Sequence, residues 1–237
     1  MDSIKLSPEI EQYIQESDKN RNYSQFTPDK RLKGDKEREF FISKFPRSEI
    51  RNIKMLDYVP GKTVNGDADR ETFAYLIEFG SRNFGAIGGG SAKKFAIYMG
   101  KKLQEPVYPP TFASADAAYN STINLIADCV LNYAEDFIKT KDWKKFSDII
   151  TQSVESQVGT PSIPVISKII AMYYPDEFLR IWSHQWLNKI LDLFQVNRDD
   201  LPETGKEGRF YEKMQRVIEA KNSHPIMKEW SNKYFSY

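Results

Sequence analysis

The chain has 237 residues, 40% of them apolar and 14% aromatic, which suits a packed core and excludes a wholly disordered tail. Its single cysteine, Cys129, and two histidines, His184 and His224, exclude an internal disulfide and a multi-cysteine zinc site, and no Asp/Glu cluster has ligand-like spacing. The net charge of +1 conceals local asymmetry, the apolar runs fall short of the roughly 20 residues that span a bilayer, and the start Met1-Asp2-Ser3-Ile4-Lys5-Leu6 lacks a leader pattern. A cytoplasmic protein with no membrane segment, metal or cofactor is expected.

In chain order, residues 6–19 predict a helix with Ile10, Tyr13 and Ile14 on one face, and the polar stretch up to Gly34 reads as a loop or linker. Helix signals resume over 35–45, where Phe40, Phe41 and Phe45 form a stripe that Pro46 ends. Ser48 caps a short turn through Met55. The polar stretch 60–69 predicts an exposed loop, with Asp69 as the cap of the next element. Over 71–79, Phe73, Leu76 and Ile77 fit a helix, while alternation at Tyr75, Ile77 and Phe79 leaves a strand open. Lys94-Phe95-Ala96-Ile97-Tyr98-Met99 alternates and is the best strand candidate, and Pro106-Val107-Tyr108-Pro109-Pro110 then marks a subdomain boundary.

The second half reads as helical. Ser114 caps a long helix with a stripe of Tyr119, Ile123, Ile126, Val130, Tyr133 and Phe137. Thr160-Pro161 opens a helix through Tyr173 that Pro175 stops, and Ser183 caps another with Leu187, Ile190, Leu191 and Phe194 inward. Two more helices, near 209–221 and 225–234, complete the chain. The expected class is mainly α (α+β), a helical domain with a small β element around residues 94–100. Its parts are an N-terminal helix and polar linker (1–34), a mixed α/β subdomain (35–110) and a helical subdomain (111–237).

The most informative local feature is Gly85-Ala86-Ile87-Gly88-Gly89-Gly90-Ser91-Ala92-Lys93-Lys94. Between residues 81 and 104 stand Arg82, Lys93, Lys94, Lys101 and Lys102 with no acidic residue, a local charge of +5. Gly85 and Gly90 have the separation of a phosphate-binding P-loop, but Ser91-Ala92 follows where Lys and Ser/Thr should stand, and no βαβ unit surrounds the glycines. A different use remains: consecutive glycines let a backbone approach a phosphodiester while neighbouring cations supply charge. The bland alternative is a tight turn between helix and strand. The candidate nucleic-acid contacts are Arg82, Gly88, Gly89, Gly90, Ser91, Lys93, Lys94, Lys101 and Lys102. Tyr108, Trp143, Trp182, Trp186, Trp230, Tyr234 and Tyr237 could stack bases, yet most have the spacing of core residues. Ser183 beside His184 is better explained by capping than by hydrolysis, and Cys129 sits on an apolar stripe, so no catalytic constellation emerges.

Two stretches resemble the region that precedes the motor in McrB-type modification-dependent restriction proteins, AAA+ GTPases that act with a nuclease. One runs from Thr72-Phe73-Ala74-Tyr75-Leu76-Ile77-Glu78 through the glycines to Lys94-Phe95-Ala96-Ile97-Tyr98. The other spans 168–183 around Tyr174-Pro175-Asp176-Glu177-Phe178-Leu179 and continues into the helix at 187–194. Together they cover about a third of the chain. The resemblance implies an N-terminal DNA-recognition domain, sensing methylated or otherwise modified DNA in phage defence. A nuclease partner and an oligomer would come through the motor of the full protein. No Walker A sequence occurs here, so GTP hydrolysis does not carry over, and the chain reads as a non-catalytic fragment. The alternative is a protein-interaction or assembly module docking on a nuclease or a neighbouring subunit.

Overall fold

The computed structural model describes residues 6–19, 28–59, 70–87, 92–100, 105–155, 160–198, 201 and 209–236. The described chain is mainly helical with one small antiparallel sheet. Helices α1 (Pro8–Lys19), α2 (Pro28–Lys44), α3 (Met55–Tyr58) and α4 (Phe73–Tyr75) precede strands β1 (Tyr98–Met99) and β2 (Pro106–Val107). Helices α5 (Ala115–Asp128), α6 (Ala134–Thr140), α7 (Trp143–Glu155), α8 (Ile163–Tyr173), α9 (His184–Leu193), α10 (Phe210–Ser223) and α11 (Asn232–Phe235) complete the order.

The arrangement centres on α8, whose sequence is apolar on nearly every face, so it must be surrounded. All its residues but Pro164 are buried. α2, the segment after α4, α7 and the turn between α5 and α6 pack on it, and α10 packs on α7 and α9. The main core is one cluster that runs from Phe41 to Val217 and draws on both sides of the expected boundary near residue 110. Phe137, Phe146, Phe178 and Tyr211 meet ring to ring within it, with centroids 4.7 to 6.3 Å apart. A smaller cluster of Ile14, Phe194, Ala220, Met227 and Trp230 joins α1 to the end of α10 and the residues after it. There Trp230 Nε1 donates to Asp18 (2.9 Å), and His224 Nε2 lies 3.2 Å from Glu11.

α5 to α6 is a continuous helical rod broken only by a widened π turn at Cys129–Tyr133. Ser114 caps it, its hydroxyl accepting from Ala117 N at 3.1 Å, and Lys141 ends it in the left-handed conformation (φ 54°). The anticipated stripe is buried at Tyr119, Ile123, Ile126, Val130 and Phe137. Cys129 is fully buried, which pushes its thiol well above the ordinary range, as an inert core residue requires.

Several expectations change. α2 begins at Pro28, inside the expected linker, because proline is well placed at a helix start. Tyr13 and Phe40, expected inward, are exposed. Pro46, not Ser48, precedes the 3-10 turn Arg47–Asn52. The alternating stretch from Lys94 is not one strand. Ala92–Phe95 is a 3-10 turn, Ala96 reverses the chain at φ 70°, and only Tyr98–Met99 pairs. Its partner is Pro106–Val107, taken from sequence as a break. Thr160 does not cap α8: its hydroxyl donates to Val154 O at 2.9 Å, and Ser162 holds the cap position. Ser183 precedes α9 but makes no side-chain cap bond. The last expected helix is a 3-10 turn, Met227–Glu229, and then α11. Asp69 lies outside the described residues.

Candidate functional site

The glycine-rich segment leaves a scaffold held from three directions. Thr72 caps α4 through Tyr75 N (3.4 Å), and the chain widens into a π turn at Leu76–Gly80. Such turns recur at functional sites because they re-aim side chains. Ser81, fully buried, closes it by donating its hydroxyl to Leu76 O (2.6 Å) and Ile77 O (3.1 Å). From α8, Lys168 Nζ donates to the Ser81 carbonyl at 3.0 Å. From α2, the Glu37 carboxylate accepts from Asn83 N (2.8 Å) and Phe84 N (3.2 Å) as well as from the Asn83 side chain. After α8, Arg180 lays its guanidinium over the Phe84 ring at 3.8 Å and pairs with Asp35 of α2 at 3.4 Å.

Trp182 then sets the first glycine. Gly85 has φ 153°, and a Cβ there would stand 2.7 Å from Trp182 Nε1, so only glycine fits. Ile87 is buried just before Gly88. On the far side, Lys94 O accepts from Ser162 N (3.1 Å), Phe95 O accepts from the Tyr58 hydroxyl (2.9 Å), and Phe95 is fully buried. Both flanks of the segment are therefore fixed to the core. Residues 81–85 and 168–182 meet here, through Lys168 with Ser81, Arg180 with Phe84 and Trp182 with Gly85.

The nine sequence candidates separate. Arg82 is exposed, its guanidinium 5.0 Å from the exposed Phe79 ring, and Lys93 is exposed on the turn Ala92–Phe95. Lys94 is turned inward, its Nζ 2.6 Å from Glu78 Oε1 with both side chains largely buried, so its charge is matched within the fold. The +5 of residues 81–104 is thus offset by an acid three residues upstream of that window. Gly88, Gly89, Gly90, Ser91, Lys101 and Lys102 lie outside the described residues. Arg82 and Lys93 are the two described candidates facing solvent.

Sequence reasoning missed Lys168, Glu37, Glu78 and Arg180. Lys168 had a signal, a lone lysine amid Val165-Ile166-Ser167-Lys168-Ile169-Ile170, where a charge must find partners or shift its pKa. Burial lowers Lys168 to about 7, with Lys94 and Arg82 acting in the same direction against Glu37 and Glu78. Near neutral pH its ammonium is on the edge of losing its proton. The Trp182 indole N–H is buried with no hydrogen-bond partner among the described residues. Among the described residues, no group of three His, Cys, Asp or Glu side chains could hold a metal ion, and no helix is long and apolar enough to cross a membrane. Among the described residues, Ser183 included, none is hydrogen-bonded to either ring nitrogen of His184. No family model, curated protein or solved structure matches the chain.

Proposed function

We propose that this chain is a DNA-recognition domain of the McrB-like type, contacting the phosphate backbone through Arg82, Lys93 and the glycine-rich segment 85–91. Its setting is a modification-dependent restriction system, with catalysis left to a motor and a nuclease outside this chain. The observation that carries the reading is the anchoring of both flanks of the glycine segment to the core, with Arg82 and Lys93 left at the surface. Flanks anchored in this way hold Arg82 and Lys93 in place without the entropic loss of ordering free side chains on a loose chain, which favours contact with a repeating anion.

Binding of the chain to methylated and unmethylated duplexes across a salt series tests it, since each neutralised phosphate steepens the fall of affinity with salt. Arg82→Ala and Lys93→Ala should each weaken binding to all sequences alike and reduce the salt slope by about 1. Lys94→Ala should lower thermal stability with little change in the slope. No binding at low salt, or affinity unchanged in Arg82→Ala/Lys93→Ala, would sink the proposal and leave the glycines as a structural turn.

A further inference from the structure

A group of polar atoms between α9 and α10 is used by nothing else in the described fold. His184 opens α9 with its ring edge-on to Phe210 of α10, centroids 5.2 Å apart. Beyond the other end of α9, Arg216 donates to the Asn197 carbonyl at 2.7 Å. These two contacts run α9 and α10 side by side in one direction. They place Lys213, one turn after Phe210, opposite the early turns of α9.

Lys213 is 1% exposed, and its Nζ is enclosed without a hydrogen-bond partner among the described residues. No acid pairs with it among the described residues. Both His184 nitrogens are likewise enclosed and unpartnered. Burial, with the Lys213 charge adding to it, pushes His184 down to about 4. Arg198 adds further positive potential at Lys213, its own guanidinium reaching Asp192 at 2.6 Å. The start of α9 contributes in the same sense. Ser183 leaves the first-turn N–H groups without a side-chain cap, and a ten-residue helix concentrates partial positive charge at that end.

Unmet buried donors cost about 1–3 kcal/mol each, and an unpaired ammonium costs more. A buried lysine, an imidazole and an uncapped helix start share the α9–α10 junction, and among the described residues no acceptor meets the side-chain nitrogens. We propose that the α9–α10 junction is an oxyanion site, taking a phosphate group between Lys213, His184 and the first turn of α9. Phosphate fits because several acceptor oxygens can meet several donors at once, and its charge offsets Lys213. The nitrogens are shielded from solvent, so the anion enters when the junction opens.

The test is thermal unfolding of the whole chain at pH 7 in chloride, in inorganic phosphate and in a nucleoside monophosphate, at matched ionic strength. The expected result is a saturable rise of several degrees in Tm for the wild type, absent in Lys213→Met. A response to both ligands assigns the site to free phosphate, and a response to the nucleotide alone assigns it to a nucleotide phosphate. Lys213→Met removes an unpartnered charge and should be at least as stable as wild type in chloride. Should it fail to fold, the His184 ring resonances of the wild type decide, since a bound phosphate must shift them and raise the ring pKa. Equal phosphate responses in wild type and Lys213→Met, no response at all, or unmoved His184 resonances would overturn the assignment.

Discussion

Replacing Lys168 with methionine isolates the buried charge beneath the glycine segment. The folded pKa of about 7 lies below the ordinary lysine value of 10.5, so between these two the unfolded chain holds a proton that the folded chain lacks. Wild-type stability therefore gains from this group as pH rises from about 7 toward 10.5, and below about 7 the full penalty of a buried ammonium is present. Each pH unit in that window is worth about 1.4 kcal/mol, so by pH 10 the accumulated difference is roughly 4 kcal/mol. Lys168→Met has no such term and loses only the bond to Ser81 O, about 1 kcal/mol. The variant should equal or exceed wild type at pH 6.5 and fall behind it by pH 10. Urea unfolding at intervals from pH 6 to 10 measures this, because titrations shared by the two proteins cancel in their difference. Parallel profiles would refute the depressed pKa and with it the burial of a protonated amine at this site.

Three further outcomes rest on named contacts. Gly85→Ala places a Cβ 2.7 Å from Trp182 Nε1 on a backbone at φ 153°, which should cost about 1–3 kcal/mol and lower Tm by several degrees, read by calorimetry. An unshifted Tm would show that Trp182 does not rest on Gly85. Glu37→Ala strips acceptors from the amides of Asn83 and Phe84 and should cost about 1–3 kcal/mol for each, while Glu37→Gln retains part of that by keeping one carbonyl oxygen. Equal losses in the two variants would contradict the capping role. Ser114→Ala should destabilise by about 1 kcal/mol through loss of the α5 cap, and Ser114→Asp should restore it; chemical denaturation would show whether the aspartate variant recovers.

Where the sequence was legible, the signal was local. The Ser114 cap and the apolar stripe behind it are set by residues three or four positions apart, and they are where periodicity put them. The apolar run of α8 likewise announces a surrounded helix. The failures arise where one residue overrides a pattern. Alternation from Lys94 to Met99 has the period of a strand, but Ala96 in a positive-φ conformation splits it, and propensity does not foresee that. The start of α2 was hidden because residues 30–34 are largely charged, without an apolar stripe, and the burial of Phe41 and Phe45 that reveals the helix falls at its end. The candidate site was legible as a cluster of glycines and cations. What holds it comes from Glu37, Lys168 and Arg180, more than forty positions from their partners in the chain. For the same reason Lys94 looked like a surface charge until Glu78 was seen beside it.

The ties from α2 and α8 to residues 81–84 also govern how this turn opens. Turns ordinarily exchange amide hydrogens quickly through small local fluctuations, whereas core helices exchange only through large ones. Here the Asn83 and Phe84 amides are bonded to a carboxylate of α2, and Ser81 is bonded to an amine of α8. Releasing either amide means breaking its bond to the Glu37 carboxylate of α2. The base of the glycine segment thus belongs to the same cooperative unit as the core, and its amides should be as slow to exchange as those of the helices that hold them.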